Sequence, residues 1–148
     1  ILLVIIPAIV MIMKKKIVFH NNLDEVNNIS ALIEEIGEQL DLSFAMVSSI
    51  QLAIEEAVVN VIHYAYPKDE IGEASLTVTR EDEDLVFELL DSGYPFDPTA
   101  KKDPDITLPV EERPIGGLGI LLVKKIMNAV SYERKEGHNI LRMVKHLK

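Results

Sequence analysis

The chain has 148 residues, 48% of them hydrophobic and 26% charged, a composition typical of one globular domain and not of a disordered segment. Its 15 basic and 24 acidic residues give a net charge of −9, which argues against direct nucleic-acid binding because phosphate contacts need a basic surface. The absence of cysteine excludes disulfides, thiolate metal sites and cysteine nucleophiles, and the four histidines show no zinc-ligand spacing.

Residues 1–13 (ILLVIIPAIVMIM) are uncharged and differ from the rest of the chain. The run is shorter than the ~20 apolar residues of a membrane-spanning helix, and it lacks the basic region that opens a signal peptide. Three explanations stay open: an artefact of an upstream start site, the end of a membrane segment, or an element that packs on the domain. We expect residues 14–148 to form the folded domain, in the cytoplasm and away from the membrane unless residues 1–13 are a membrane remnant.

The folded part begins with a strand and a helix. Residues 16–20 (KIVFH) alternate in hydropathy and predict a strand. A helix is then predicted to run to about Leu40, because apolar residues recur at helical spacing after a cap at Asn22 or Asp24.

A longer helix and two strands follow. Residues 43–66 predict a helix that Ser43 caps and Pro67 ends, since the residue before a proline disfavours helical backbone. Residues 73–80 and 85–90 predict strands joined by a short acidic turn.

The last part of the chain predicts a lid, a helix and a hairpin. Residues 91–115 carry five prolines and no periodic apolar pattern, which is typical of a functional lid, here at about residues 93–115. A helix is predicted over residues 117–130, and a hairpin is formed by strands at residues 131–135 and 139–146. The order of elements predicts an α+β fold, a two-layer α/β sandwich with a mainly antiparallel sheet and helices on one face.

The long helix carries a polar row beside its apolar arc. Glu56 and Asn60 are four residues apart and stack on one face near His63, next to the small residues Ala53 and Ala57. The row is either a solvated helix face, an oxygen-ligand site for Mg²⁺, or a carboxylate that accepts a proton. The apolar arc is predicted to comprise Val47, Ile50, Ile54, Ala57, Val58, Val61 and Ala65.

Two glycine-bearing segments add to this pattern. Asp91 ends a predicted strand and opens DSGYPFDP, which is either a plain turn or the bottom of a pocket where Gly93 allows close approach. Gly116, Gly117 and Gly119 lie at the start of a predicted helix, where free N–H groups and the helix dipole favour an anion. A hinge for the lid is the alternative explanation, and it is compatible with anion binding.

Together, E-x-x-x-N on a helix, D-x-G-x-P-F-D-P after a strand and G-G-L-G before a helix resemble a known superfamily. It is the ATP-binding superfamily of gyrase, heat-shock chaperones, histidine kinases and mismatch-repair proteins (GHKL, the Bergerat fold). The chain is most similar to the stand-alone anti-sigma-factor serine kinases, RsbW-like, because of the PFDP continuation, the short lid and LVKKIMNAVSYER after the glycines. The resemblance covers residues 16–148.

The resemblance implies roles for individual residues. Asn60 would ligate the Mg²⁺ that bridges the phosphates of ATP, and Glu56 would be the general base for the acceptor hydroxyl. Asp91 would accept a hydrogen bond from the adenine amino group, with Gly93 letting the base approach.

The glycine segment would line the phosphates through the backbone N–H groups of Gly116, Gly117 and Gly119. Kinases of this branch carry an arginine immediately before the glycines, whereas here Pro114 precedes Ile115 and Arg113 is displaced by two residues. Arg113 is the arginine that we expect to contact the nucleotide, and we expect nucleotide binding more firmly than phosphate transfer.

The resemblance also implies a function and partners. The leading hypothesis is a serine/threonine kinase of a partner-switching module, which binds a sigma factor or other regulated protein and phosphorylates a serine of a STAS-type anti-anti-sigma protein. The alternative is a nucleotide-dependent module that sequesters its partner without transferring phosphate, and a non-nucleotide structural protein is the third. The family implies a homodimer, to which the first strand, the first helix and residues 1–13 could contribute.

Overall fold

The structure, a computed structural model, describes residues 13–100, 107 and 118–148. The predictions for residues 1–12, Arg113, Gly116 and Gly117 lie outside the described residues. The described residues form three α-helices and a five-stranded sheet. The elements are β1 (Lys14–His20), α1 (Val26–Gln39), α2 (Phe44–Tyr64), β2 (Glu73–Glu81), β3 (Asp84–Asp91), α3 (Leu118–Ile126), β4 (Ala129–Lys135) and β5 (His138–His146).

The sheet is antiparallel throughout, in the order β1-β2-β3-β5-β4. Alternate residues of each strand face the helices, so that Leu76, Phe87 and Leu89 are almost fully buried in one core with the apolar faces of α1, α2 and α3. This arrangement confirms the predicted two-layer α+β sandwich.

The two long helices begin where the sequence predicts. The Asn22 side chain accepts a hydrogen bond from the backbone N–H of Asp24, in a short 3₁₀ turn that leads into α1. The Ser43 hydroxyl accepts one from the Met46 N–H at 3.1 Å, which pairs an N–H that the first turn of α2 leaves free. Helix α2 ends at Tyr64, two residues before the predicted end.

Helix α2 packs against both α1 and α3. Its length and composition alone would suit a membrane span, but its apolar face is buried in the core of this domain. The structure corrects the edges of the apolar arc that the sequence predicts for α2. Ala53 and Ile62 are buried, although Ala53 was expected beside the polar row, whereas Val47 and Val61 are half-buried. The buried residues of α2 are Ile50, Ala53, Ile54, Ala57, Val58 and Ile62.

The C-terminal helix is shorter than predicted. It ends at Ile126, and the predicted helical residues Ala129 and Val130 belong to β4. Val130 pairs with Met143 of β5 and packs against the core, so strand pairing overrides the helical pattern. The hairpin turn is Glu136–Gly137, both with positive φ (52° and 81°), and β5 begins one residue earlier than predicted.

We predict that Ser43→Ala lowers the free energy of unfolding by about 1 kcal/mol, because the Met46 N–H loses its cap. Ser48→Ala is the matched control, since Ser48 lies inside α2, where alanine is a better helix former. Urea titrations of the three proteins measure the difference. Equal losses in both variants would contradict a capping role for Ser43.

Candidate functional site

A cleft opens between α2 and the end of the sheet where β3 and β5 meet. The cleft and its mouth together contain about 530 Å³ of space, part of which is open solvent. Most of its wall is apolar, with a few polar side chains among the lining residues. The wall is formed by Ala57, Asn60, Val61, Tyr64 and Ala65 of α2 and its end, Leu89 and Asp91 of β3, Tyr94, Phe96 and Pro98 of the following loop, Ile120 of α3, and Tyr132, Asn139 and Leu141 of β4 and β5.

The polar row of α2 lies along one side of this cleft. Asn60 lines it, and Glu56 lies one helical turn earlier and is half-buried. Neither side chain makes a hydrogen bond in the part of the chain that the structure describes, in contrast to Glu55, which accepts one from Ser30 of α1. Among the described residues, no hydrogen bond therefore competes with a ligand for Glu56 or Asn60.

The first turn of α3 lies directly against Glu56. A Cβ atom built on Gly119 would be 2.7 Å from Glu56 Oε2, so only glycine leaves this carboxylate its observed position. The contact brings the end of the glycine segment next to the carboxylate that the sequence predicts as a base. Packing between α2 and α3 thus assembles two motifs that are 63 residues apart in the chain, at positions 56 and 119.

Asp91 lies at the opposite end of the cleft, where β3 ends. It is only 5% exposed, and its Oδ1 accepts hydrogen bonds from the Gly93 N–H and from Asn139 Nδ2, both at 2.9 Å. A buried carboxylate needs such donors, because an unpaired buried charge is strongly destabilising.

Asn139 of β5 faces Asp91 directly across the β3–β5 pair and is itself buried. Besides Asp91 it binds the loop after β3, donating to the Tyr94 carbonyl at 2.7 Å and accepting from the Phe96 N–H at 3.4 Å. The Tyr132 hydroxyl donates to Asn139 Oδ1 at 2.5 Å. One amide therefore joins β3, β4, β5 and the loop that covers the cleft.

The loop after β3 is also tied to the end of α2. The Tyr94 N–H donates to the Ala65 carbonyl at 2.9 Å, and a Cβ on Gly93 would overlap that same carbonyl. The Tyr66 hydroxyl accepts from the Ser92 N–H at 2.8 Å and donates to the Glu73 carbonyl at 2.5 Å. The structure thus adds a packing reason for Gly93, while its predicted role toward a base stays a prediction.

Desolvation by burial raises the pKa of Tyr66 above its ordinary value of 10.0, against the lowering effect of the hydrogen bond from Ser92. The negative charges of Asp91 and Glu73 act in the same direction as burial. The hydroxyl therefore stays neutral, and able to donate to the Glu73 carbonyl, up to a higher pH than that of an unperturbed tyrosine.

The structure brings together five of the predicted site residues, namely Glu56, Asn60, Asp91, Gly93 and Gly119. Among the residues that it describes, no group of three His, Asp or Glu side chains is arranged to hold a metal ion. The amide of Asn60, which has no hydrogen-bond partner among the described residues, is nevertheless a suitable oxygen ligand for Mg²⁺, which takes most of its ligands from phosphates and water in such sites.

The sequence analysis missed the residues that complete the cleft. Tyr94 and Phe96 lie inside DSGYPFDP, so their aromatic character beside Asp91 was an available signal. Asn139 and Tyr132 gave only a weak signal, because an asparagine at the start of a strand is also typical of a turn. Their proximity to Asp91 depends on the pairing of β3 with β5.

Comparisons with known proteins agree with this geometry. Residues 19–145 match the sequence family described as the histidine kinase-like ATPase domain, and the chain belongs to that family. It is 26% identical over 98 residues to the serine/threonine-protein kinase BtrW of Bordetella bronchiseptica, an alignment that covers 66% of this chain and 69% of BtrW. It is 28% identical over 116 residues to the serine-protein kinase RsbW of Bacillus cereus, covering 76% of this chain and 71% of RsbW.

A solved structure shows the same fold. The RsbU and RsbW domains of Rv1364c from Mycobacterium tuberculosis superpose with a TM-score of 0.61 at 12% identity. The match covers 90% of this chain and 32% of the Mycobacterium chain, so this chain spans about a third of that protein. The predicted Bergerat-type fold is confirmed, and the site roles of individual residues remain predictions.

We predict that Gly93→Ala destabilises the protein by about 1–3 kcal/mol, because the new Cβ meets the backbone of Ala65, which cannot move without displacing the end of α2. Gly119→Ala is the matched control. There the Cβ meets only the tip of Glu56, so the side chain turns aside and the unfolding free energy is unchanged or rises with helix propensity. Thermal unfolding compares the two, and equal destabilisation would contradict this assignment.

We predict a pH signature for Tyr66. Because its pKa is raised in the folded state, its contribution to stability is fully present below the unfolded value of 10.0 and is lost as pH rises through the folded value. The Tyr66→Phe variant should be less stable than the wild type at neutral pH. Above pH 10.0, its free energy of unfolding should fall less than that of the wild type. Urea unfolding across alkaline pH measures this, with Tyr64→Phe as the control at an exposed tyrosine. Parallel profiles for wild type and Tyr66→Phe would refute it.

Proposed function

We propose that the chain is an ATP-binding serine/threonine kinase of a partner-switching module. The observation that supports the proposal is that Asn60 and Asp91 line one cleft, while Glu56 lies a helical turn from Asn60 and against the start of α3. The names of the relatives BtrW and RsbW, both protein kinases, support the same activity.

In this proposal the adenine ring enters the apolar cleft and its amino group donates to Asp91. Asn60 would hold Mg²⁺ together with the phosphate oxygens. The metal would supply the positive charge that neutralises the phosphates, because the chain itself has a net charge of −9. The N–H groups of Gly116, Gly117 and Gly119 would bind the phosphates, and Arg113 is the candidate for a side-chain contact with the nucleotide.

Glu56 would accept the proton of the acceptor serine hydroxyl as that oxygen bonds to the γ-phosphorus. The bond between the γ-phosphorus and the β–γ bridging oxygen breaks, and ADP leaves with that oxygen. Phosphoryl transfer depends mostly on positioning and charge stabilisation, which is why a half-buried carboxylate beside a helix start suits the reaction.

The partners follow from the same proposal. The kinase would bind a sigma factor or another regulated protein and would phosphorylate a serine of a STAS-type anti-anti-sigma protein. It would act as a cytoplasmic homodimer, with Mg²⁺·ATP as its bound nucleotide.

We predict that Glu56→Gln abolishes phosphate transfer and leaves the Kd for ATP within about threefold of wild type, because the amide cannot accept the proton but fills the same space. The experiment incubates each protein with Mg²⁺ and γ-labelled ATP in host lysate and, separately, measures ATP binding by calorimetry. Glu55→Gln is the matched control, since the neighbouring carboxylate faces Ser30 of α1. A small protein labelled by wild type and Glu55→Gln, but not by Glu56→Gln, supports the kinase.

Two other outcomes separate the alternatives. ATP binding without any Glu56-dependent label, when a STAS-type protein is present in the lysate, favours the sequestering module, as the displaced Arg113 would suggest. Asn60→Ala should weaken Mg²⁺-dependent ATP binding about tenfold or more. Absence of ATP binding by the wild type would overturn both nucleotide-dependent functions.

A further inference from the structure

A second groove, here called the corner groove, lies where α1 ends and α2 begins, and it shares no lining residue with the cleft. The two helices are closely packed there. A Cβ atom on Gly37 would overlap the Val47 side chain, and the Leu42 N–H donates to the Gly37 carbonyl at 2.9 Å. Ser43 caps α2 directly after this turn. The walls of the corner groove are therefore two helix ends with a well-defined backbone.

The apolar part of the corner groove includes one uncovered aromatic ring. Leu42 and Val47 line the groove, are half-buried and pack against the core. Phe44, the first residue of α2, lines it as well but is 87% exposed. An exposed aromatic side chain beside other apolar groups, on an ordered helix end, is the kind of anchor that a partner protein covers.

The charged side chains that line the corner groove, in the part of the chain that the structure describes, are all acidic: Glu34, Glu38 and Asp41. Among the described residues none of the three makes an ion pair, whereas the neighbouring Glu35 pairs with Lys15. Their position is unfavourable, because a helix C-terminus carries partial negative charge and the last turn of α1 holds no basic residue. Glu34 and Glu38 are also one turn apart and repel each other. Such local conflicts are expected at functional surfaces.

We propose that the corner groove binds a basic amphipathic helix of another protein. An apolar side chain of that helix would cover Phe44, and its lysine or arginine side chains would pair with Glu34, Glu38 and Asp41. Binding would neutralise the acidic end of α1 and remove the aromatic ring from water. The proposal does not depend on ATP binding, because the corner groove and the cleft are separate.

Other occupants fit this chemistry less well. Three carboxylates repel nucleic acid and anionic lipid surfaces. A second copy of this chain carries the same net charge of −9 and is repelled as a whole. A metal ion would pair with the carboxylates but would leave Phe44 exposed. The combination of carboxylates with an uncovered ring favours a helix that is basic on one side and apolar on the other, the form in which amphipathic helices bind grooves.

The test uses a fluorescent synthetic helical peptide with leucine on one face and lysine on the other, and measures its Kd by anisotropy at about 0.15 M salt, where distant charges are screened. Glu34→Lys with Glu38→Lys should raise the Kd of the peptide about tenfold or more. The matched control is Glu133→Lys with Glu136→Lys, which changes the net charge equally at exposed positions of β4 and its turn. The control should leave the Kd within about threefold of wild type.

The aromatic contact is tested with the same peptide. Phe44→Ser should raise the Kd about fivefold or more, because the apolar face of the peptide loses its anchor. Ile71→Ser is the matched control at a residue that is also 87% exposed but lies outside the corner groove, and it should leave the Kd unchanged. Glu34→Lys with Glu38→Lys should in addition raise the Tm of the free protein, since lysine suits the C-terminus of α1.

Four results would overturn the proposal. They are absence of peptide binding by the wild type, equal losses in the two charge-reversal variants, an unchanged Kd in Phe44→Ser, and a wild-type dimer in sedimentation that Phe44→Ser dissociates. The second and third would mean that only negative charge attracts the peptide, and the fourth would assign the groove to a second copy of the chain. Calorimetry of ATP binding by each variant keeps these results separate from the proposed function, because the corner-groove variants should bind ATP as the wild type does.

Discussion

The buried carboxylate of Asp91 is the constraint on which the cleft depends. Moving an ionised group away from water is expensive, so its position at the end of β3 is stable only with hydrogen-bond donors around it. One donor comes from its own loop, at Gly93, and one from the neighbouring strand, at Asn139. The path of the chain after β3 is determined by this requirement, because the loop must turn back to bring the Gly93 N–H to the carboxylate.

That turn connects the sheet layer with the helix layer. The backbone at Gly93 passes so close to the end of α2 that no side chain fits, and the Tyr94 N–H binds the last carbonyl there, that of Ala65. The same loop is held from the other side by Arg134 of β4, whose guanidinium donates to the Gly93 carbonyl at 2.9 Å. Helix, loop and hairpin are therefore one connected unit around the cleft, and the polar row of α2 has a defined position relative to Asp91.

Much of the fold could be predicted from local patterns. Ser43 and Asn22 are cap residues that act in the structure as their types suggest, and the strand predicted around Phe87 is present. The predictions failed where pairing competes with local preference. Ala129 and Val130 follow an apolar helical pattern, but the open edge of β5 offers them hydrogen bonds and a place in the core. Local propensity is weaker than such tertiary contacts.

The candidate site was likewise predicted only in part. The motifs that contain Glu56, Asn60, Asp91 and the glycines resemble those of a nucleotide-binding superfamily, and this resemblance predicted the fold and the residues that would face the ligand. Asn139 and Tyr132 could not be assigned in this way, because their importance comes from strand register: Asp91 faces Asn139 only when β5 pairs with β3. The sequence by itself determined the helices, the strands, the family and the motifs, since these depend on short-range patterns. Only the tertiary structure decided which groups surround the Asp91 carboxylate and which of its oxygens accepts their hydrogen bonds, because these contacts join residues that are distant in the chain.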